Sequence, residues 1–219
     1  MTTLRICFVG DSITAGTGDH AYLGWPGRRA ARERAAGHDV TAYNLGVRAD
    51  TSELVAARWR AECRARLPDH VAGAIVFAFG VNDAAIEAGQ GLRVPLERSV
   101  ETADAILAAA KAWQPVLWIG PAPVPKDGVE LSPAPGVAYA FANTRIAAVN
   151  DAYRAAAAGI GVPYLDLFAA LAATPDWAAA LARGDGVHPA AEGYALVAGT
   201  VGAWGAWRAW FDGSAATSA

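Results

Sequence analysis

Lysine is nearly missing from this chain. Of its 18 basic residues, only Lys111 and Lys126 are lysines. There are two cysteines and one methionine, and net charge is −3. The cysteines, Cys7 and Cys63, stand in apolar patterns and are read as buried thiols in a reducing compartment rather than a disulfide. No run of about 18 uninterrupted apolar residues occurs, so no stretch reads as a membrane span. The start, Met1-Thr2-Thr3, leads straight into an apolar segment without the basic, apolar and small-residue regions of a signal peptide. A cytoplasmic protein without stable membrane insertion is expected. Cysteine–histidine spacing typical of structural zinc is absent. The densest basic stretch, Arg28-Arg29-Ala30-Ala31-Arg32-Glu33-Arg34, has no interleaved aromatics and lies in an acidic chain. It is read as a solvated helix face, not a nucleic-acid footprint.

What is abundant is alanine. Of 219 residues, 54% count as hydrophobic, yet 54 of them are alanine. Alanine favours helix and buries little apolar area. The length suits one domain with its own core. Residues 1–212 are assigned to it, and the small polar tail 213–219 is expected to be disordered.

Five short apolar runs are bounded by turn residues: Leu4–Val9, Val40–Leu45, Ala74–Phe79, Val116–Ile119 and Val162–Leu167. They are near-continuous rather than alternating, as in parallel strands covered on both faces. Helical patterns lie between them. Residues 26–37 give an Arg-rich helix. Val55, Trp59, Cys63 and Leu67 form a stripe after Asp50-x-x-Glu53, which resembles a capping box. Further stripes run through Pro95–Trp113, through Ala142, Ile146, Val149 and Tyr153, and through Tyr194, Val197, Val201 and Trp204. The alternation predicts an α/β class, a three-layer sandwich around a five-stranded parallel sheet of flavodoxin-like type. Ligands then bind at the carboxyl ends of the strands. The segment 121–135 holds five of the twelve prolines. It is read as a long loop forming a wall of the site. The terminal aromatics Trp204, Trp207, Trp210 and Phe211 are read as core, with a dimer face as the alternative. The oligomeric expectation is a monomer or homodimer.

Polar residues follow the strands. Gly10-Asp11-Ser12-Ile13-Thr14 follows the first, Asn44-Leu45-Gly46 the second and Gly80-Val81-Asn82-Asp83 the third. Asp185-Gly186-Val187-His188 follows the fifth. A hydrolytic serine needs a base, an acid that orients the base, and donors for an oxyanion. Asp185 lies three residues before His188, so one turn joins them. His20, His38 and His70 have no comparable partner pattern.

These four blocks resemble the SGNH hydrolases, the GDSL esterase/lipase superfamily. Gly10-Asp11-Ser12 looks like the first block. Gly46, with Asp50-Thr51 trailing it, matches the second. Gly80-Val81-Asn82-Asp83 matches the third, and Asp185-Gly186-Val187-His188 the last. Val81 stands where threonine is common, and Ile13 where many members carry leucine. The resemblance implies Ser12 as nucleophile, His188 as general base and Asp185 as its orienting acid. It implies an oxyanion hole from the N–H groups of Ser12 and Gly46 with the Asn82 amide, and no cofactor or metal. The short segment after Ser12, with Tyr22 and Trp25 as its aromatics, and the 121–135 wall point to a partly open cleft for a small-molecule ester with a short acyl or acetyl group rather than a deep lipid tunnel. A thioester or an acetylated carbohydrate remains an alternative. Asp11 and Asp83 are assigned to holding loops through backbone hydrogen bonds.

Rival readings fit less well. An ordinary α/β-hydrolase needs a G-x-S-x-G elbow in mid-chain. Gly16-Thr17-Gly18-Asp19-His20-Ala21 fits G-x-G-x-x-A, but starts too late after the first strand for a nucleotide-binding module, and the second strand ends without an acidic residue. A catalytically idle binding member would not need every site residue. His188-x-x-x-Glu192 offers two metal ligands without a third.

Overall fold

The computed structural model describes residues 1–212, so the 213–219 tail lies outside the described residues. Strands β1 (Thr3–Gly10), β2 (Asp39–Gly46) and β3 (Gly73–Ala78) open the main sheet. Two short strands follow, β4 (Ile86–Glu87) and β5 (Gly91–Leu92), and then β6 (Val116–Ile119). Strands β7 (Val129–Ala134), β8 (Val137–Phe141) and β9 (Tyr164–Leu165) complete the set. The main sheet has the order β2-β1-β3-β6-β9, and every pairing in it is parallel. Strand order reverses between β1 and β3, and a crevice opens there at the carboxyl ends. The α/β sandwich expected from the alternating runs is present.

The helices are α1 (Ser12–Ala15), α2 (Gly24–Ala35), α3 (Ser52–Arg64), α4 (Leu96–Lys111), α5 (Asn143–Ile160), α6 (Leu167–Ala172), α7 (Pro175–Arg183), α8 (Ala191–Ala203) and α9 (Gly205–Arg208). Alternate strand residues face opposite sides, giving two cores. Cys7, Val9, Ile75, Phe77 and Trp118 pack under α3, α4 and α5. Ile6, Phe8, Val76, Leu117 and Ile119 pack on the other face, with α2 and α8. The chain's last aromatics close this second core, with Trp207 and Phe211 buried. Both cysteines are buried free thiols.

Three local expectations need correction. The 121–135 segment is not wholly loop. Residues 129–134 form β7, which pairs with β8 in a second, antiparallel sheet of order β5-β4-β8-β7. Pro133 is accommodated because β7 is an edge strand whose register shifts between Leu131 and Ala134. The N-cap of α3 is Thr51, whose side chain accepts from Leu54 N, and not Asp50. The Asp50 carboxylate is drawn instead to Arg58 at 2.6 Å. Finally, the Arg28–Arg34 face is only partly solvated. Arg29 and Glu33 are buried, and Glu33 also accepts from Trp207 Nε1 at 2.7 Å and pairs with Arg208.

Candidate active site

Ser12 follows β1 and begins α1. Asp11 caps that helix, accepting from Ile13 N at 2.9 Å. Ser12 N–H lies in the first turn, where no intrahelical acceptor exists. His188 is brought in from the far end of the chain, and its Nε2 lies 2.7 Å from Ser12 Oγ. Its Nδ1 lies 2.7 Å from Asp185 Oδ2. An imidazole protonated on Nδ1 donates to the carboxylate and leaves Nε2 to accept the serine proton.

The Asp185–His188 turn is tightly specified. Asp185 Oδ1 accepts from the backbone N–H groups of Val187 and His188, at 3.0 and 2.7 Å. Gly186 has φ +87°, and a Cβ on Gly184 would lie 1.9 Å from His188 O. Both positions exclude a side chain. Partial burial pushes the Asp185 carboxyl up, but hydrogen bonds from the His188 ring and backbone outweigh it and hold it at about 2.

Asn82 follows β3 across the crevice. One N–H of its amide donates to Asp50 O at 3.0 Å. An amide has two N–H donors, so one is left for a ligand. Asp83 is buried and accepts from Ser52 N at 3.0 Å, from Ser52 Oγ, and from Ser99 Oγ at 2.9 Å. It ties the first turn of α3 and, through Ser99, α4 to the loop after β3. Arg58 ties the loop before α3 to the sheet, donating to Gly10 O and Leu45 O at 2.9 Å each while pairing with Asp50.

A cleft of about 380 Å³, partly open to solvent, is lined by Ser12, His188, Asn82, Arg48, Ala49 and an apolar wall. That wall is Val81, Leu131, Pro133, Tyr139, Phe141 and Val187. Gly46 is not on it. Its N–H donates to Asn44 Oδ1 at 3.0 Å, and a Cβ there would lie 2.1 Å from Ala15 N. The glycine is needed for packing against α1. Ala49 occupies the cleft instead, in a left-handed conformation with φ +64°. Arg93 holds it, donating from Nη2 to Ala49 O at 2.8 Å and stacking 4.6 Å above the Tyr139 ring. An alanine carries no sequence signal of left-handed backbone, so Ala49 escapes a reading that looks for glycine. Pro133 and Leu131 supply part of the wall expected of the 121–135 segment, from the edge strand β7 rather than from a loop.

The remaining candidates lie elsewhere. Trp25 is buried against Phe8 and not in the cleft. Gly16–Ala21 joins α1 to α2 and does not open a helix directly after β1. Glu192 makes an exposed pair with Arg183 at 3.5 Å. Among the described residues, no three His, Cys, Asp or Glu side chains converge as metal ligands. No helix among them is long and apolar enough to cross a membrane.

Residues 8–196 match the model of the GDSL-like lipase/acylhydrolase family. The chain belongs to that family. It is a carboxylic ester hydrolase of the GDSL type. Solved structures of similar fold include a lipase/acylhydrolase from Enterococcus faecalis, 23% identical, with 96% of each chain covered and a TM-score of 0.72. TesA is also 23% identical, over 94% of this chain and 99% of its own, with a TM-score of 0.69. A catalytic mutant of an acetylxylan esterase from Geobacillus stearothermophilus is 18% identical, over 91% and 93%, with a TM-score of 0.69. No curated protein matches the chain by sequence.

Proposed function

We propose that this GDSL hydrolase cleaves short-chain acyl esters through an acyl-Ser12 intermediate. The observation that carries the reading is the unbroken chain Ser12–His188–Asp185, both links 2.7 Å, opening on the cleft. Ser12 Oγ attacks the carbonyl carbon as its proton passes to His188 Nε2. The resulting oxyanion is met by Ser12 N–H, Ala49 N–H and the second Asn82 amide N–H, with Ala49 taking the place expected of Gly46. His188 then protonates the leaving alkoxide. Water, deprotonated by the same nitrogen, attacks the acyl-enzyme and regenerates Ser12. Asp185 fixes the tautomer and faces the imidazolium charge.

The acyl group is assigned to the apolar wall of the cleft, which β7 and β8 border through Leu131, Pro133, Tyr139 and Phe141. The test is covalent labelling with a fluorophosphonate alongside Ser12→Ala in a p-nitrophenyl acetate assay. Stoichiometric labelling of the native chain, and loss of both label and turnover in the variant, are expected. Turnover that survives Ser12→Ala overturns the nucleophile assignment.

A further inference from the structure

Arg93 does not line the cleft, yet its side chain is nine-tenths buried beside it. A buried guanidinium is costly unless its donors are met. No acid among the described residues meets them at hydrogen-bond distance. Glu87 lies 3.9 Å from Nε, and Nη1 is buried without an acceptor among the described residues. A carbonyl and a ring hold the group instead. Nη2 donates to Ala49 O at 2.8 Å, and Cζ lies 4.6 Å from the centre of the Tyr139 ring.

Ala49 needs such a hold. It is the third residue of the turn Val47–Asp50, which Asp50 N closes on Val47 O at 3.3 Å. A positive φ there is ordinary for glycine. For alanine, the φ of +64° opposes an intrinsic preference of about five- to thirtyfold. Rotation about φ joins the peptide that carries Ala49 N–H to the rest of the residue, so pinning Ala49 O fixes where that N–H points. Arg93 is itself anchored to the loop that carries Asn82, its backbone N–H donating to Ala85 O at 3.0 Å. Asn82 Nδ2 in turn donates to Asp50 O at 3.0 Å. Two of the assigned oxyanion donors are thus set by one frame. Tyr139 stands on β8 in the apolar wall of the cleft. Arg93 therefore touches both the wall and the residue that supplies the N–H.

We propose that Arg93 is a positioning residue for the oxyanion hole, holding Ala49 in the left-handed conformation that presents its N–H and taking its own bearing from Tyr139. The role rests on the Ser12 hydrolase reading. An acyl group seated against Tyr139 steadies the donor that its own carbonyl needs, so its fit is expressed in kcat rather than in KM.

The experiment measures kcat and KM for p-nitrophenyl acetate, per serine labelled at saturation by a fluorophosphonate. It also measures Ki for a trifluoromethyl ketone, which forms a tetrahedral oxyanion on the serine. Counting labelled serine removes any loss of folded enzyme. Arg93→Met is expected to lower kcat about ten- to hundredfold and to raise the ketone Ki by a similar factor. KM should stay within about twofold, as for an interaction made only in the transition state. Arg93→Lys lacks the planar fork, falls in the same direction, and decides the matter if the methionine variant does not fold. Adding Ala49→Gly to either variant should regain most of the loss, because glycine takes a positive φ without restraint. Tyr139→Leu keeps an apolar wall but removes the stacked ring. It should lower kcat in the native background and not in Arg93→Met, since both act through one contact. An unchanged kcat in Arg93→Met, a loss carried by KM, or a loss that glycine does not relieve overturns the role. Additive losses from Tyr139→Leu and Arg93→Met overturn the link to the wall. A native chain that neither takes the label nor cleaves the ester defeats the Ser12 reading, and this role with it.

Discussion

Two buried or half-buried carboxyls beside Ser12 have opposite fates. Asp185 is held at about 2, below its ordinary 3.8. Its charge contribution to stability is present above pH 3.8 and is lost as pH falls through about 2. An acid limb of kcat/KM above pH 4 would therefore not belong to it. Asp185→Asn should lower kcat about 10³- to 10⁴-fold, through the wrong imidazole tautomer, in steady-state assays. Asp11 goes the other way. Burial, with Asp83 adding to it, outweighs the Ile13 N–H and the His188 charge and lifts the carboxyl to about 7. Between its ordinary 3.8 and about 7 the folded state keeps a proton that the unfolded chain has lost. Stability from this group thus falls as pH rises across that window. Asp11→Asn keeps the cap acceptor and removes the ionisation. Its melting temperature relative to the native chain should climb between pH 4 and pH 8, and a flat difference would refute the assignment. Asn82→Ala removes one oxyanion donor and should cost about 10²–10³ in kcat, with KM little changed.

At the level of elements, the β7–β8 hairpin is what the acyl group meets. A p-nitrophenyl ester series should peak at two to four carbons, about the reach of the small apolar wall. Leu131→Ala together with Tyr139→Ala should shift that peak to longer chains, and a peak at long acyl chains in the native chain would reject the short-chain reading. The hairpin also marks where sequence reading stops. The strands of the main sheet are legible because both faces are covered and their residues run continuously apolar. Phe79 and Val162, expected within strands, lie just outside them, since pairing stops before the apolar pattern does. The hairpin has one exposed side and two prolines, so Ser132–Pro135 reads as loop. Ser12, Asn82, Asp185 and His188 are legible because side-chain chemistry names them. Ala49 is not, because its contribution is a backbone N–H presented by an uncommon φ and held by Arg93, and neither is written in residue type.

The described residues form two cores on the two faces of one main sheet, and α9 is fastened to α2 by charge. Glu33 is fully buried among Arg29, Arg208 and Trp207. Removing it leaves two guanidiniums without their shared anion. Glu33→Ala should cost about 3–5 kcal/mol in urea unfolding, while kcat in the absence of denaturant is little affected, since the cluster lies away from the cleft. A loss below about 1 kcal/mol would show that solvent screens the cluster. Ser12 and His188 are separated by 176 positions. During synthesis the nucleophile emerges 176 positions before the base, so the growing chain carries an inert serine over that interval. Turnover begins only when the loop between α7 and α8 docks on the sheet. Ester cleavage is in that sense a reading of completed folding, and a chain cut anywhere between the two should regain activity only on reassociation of its halves.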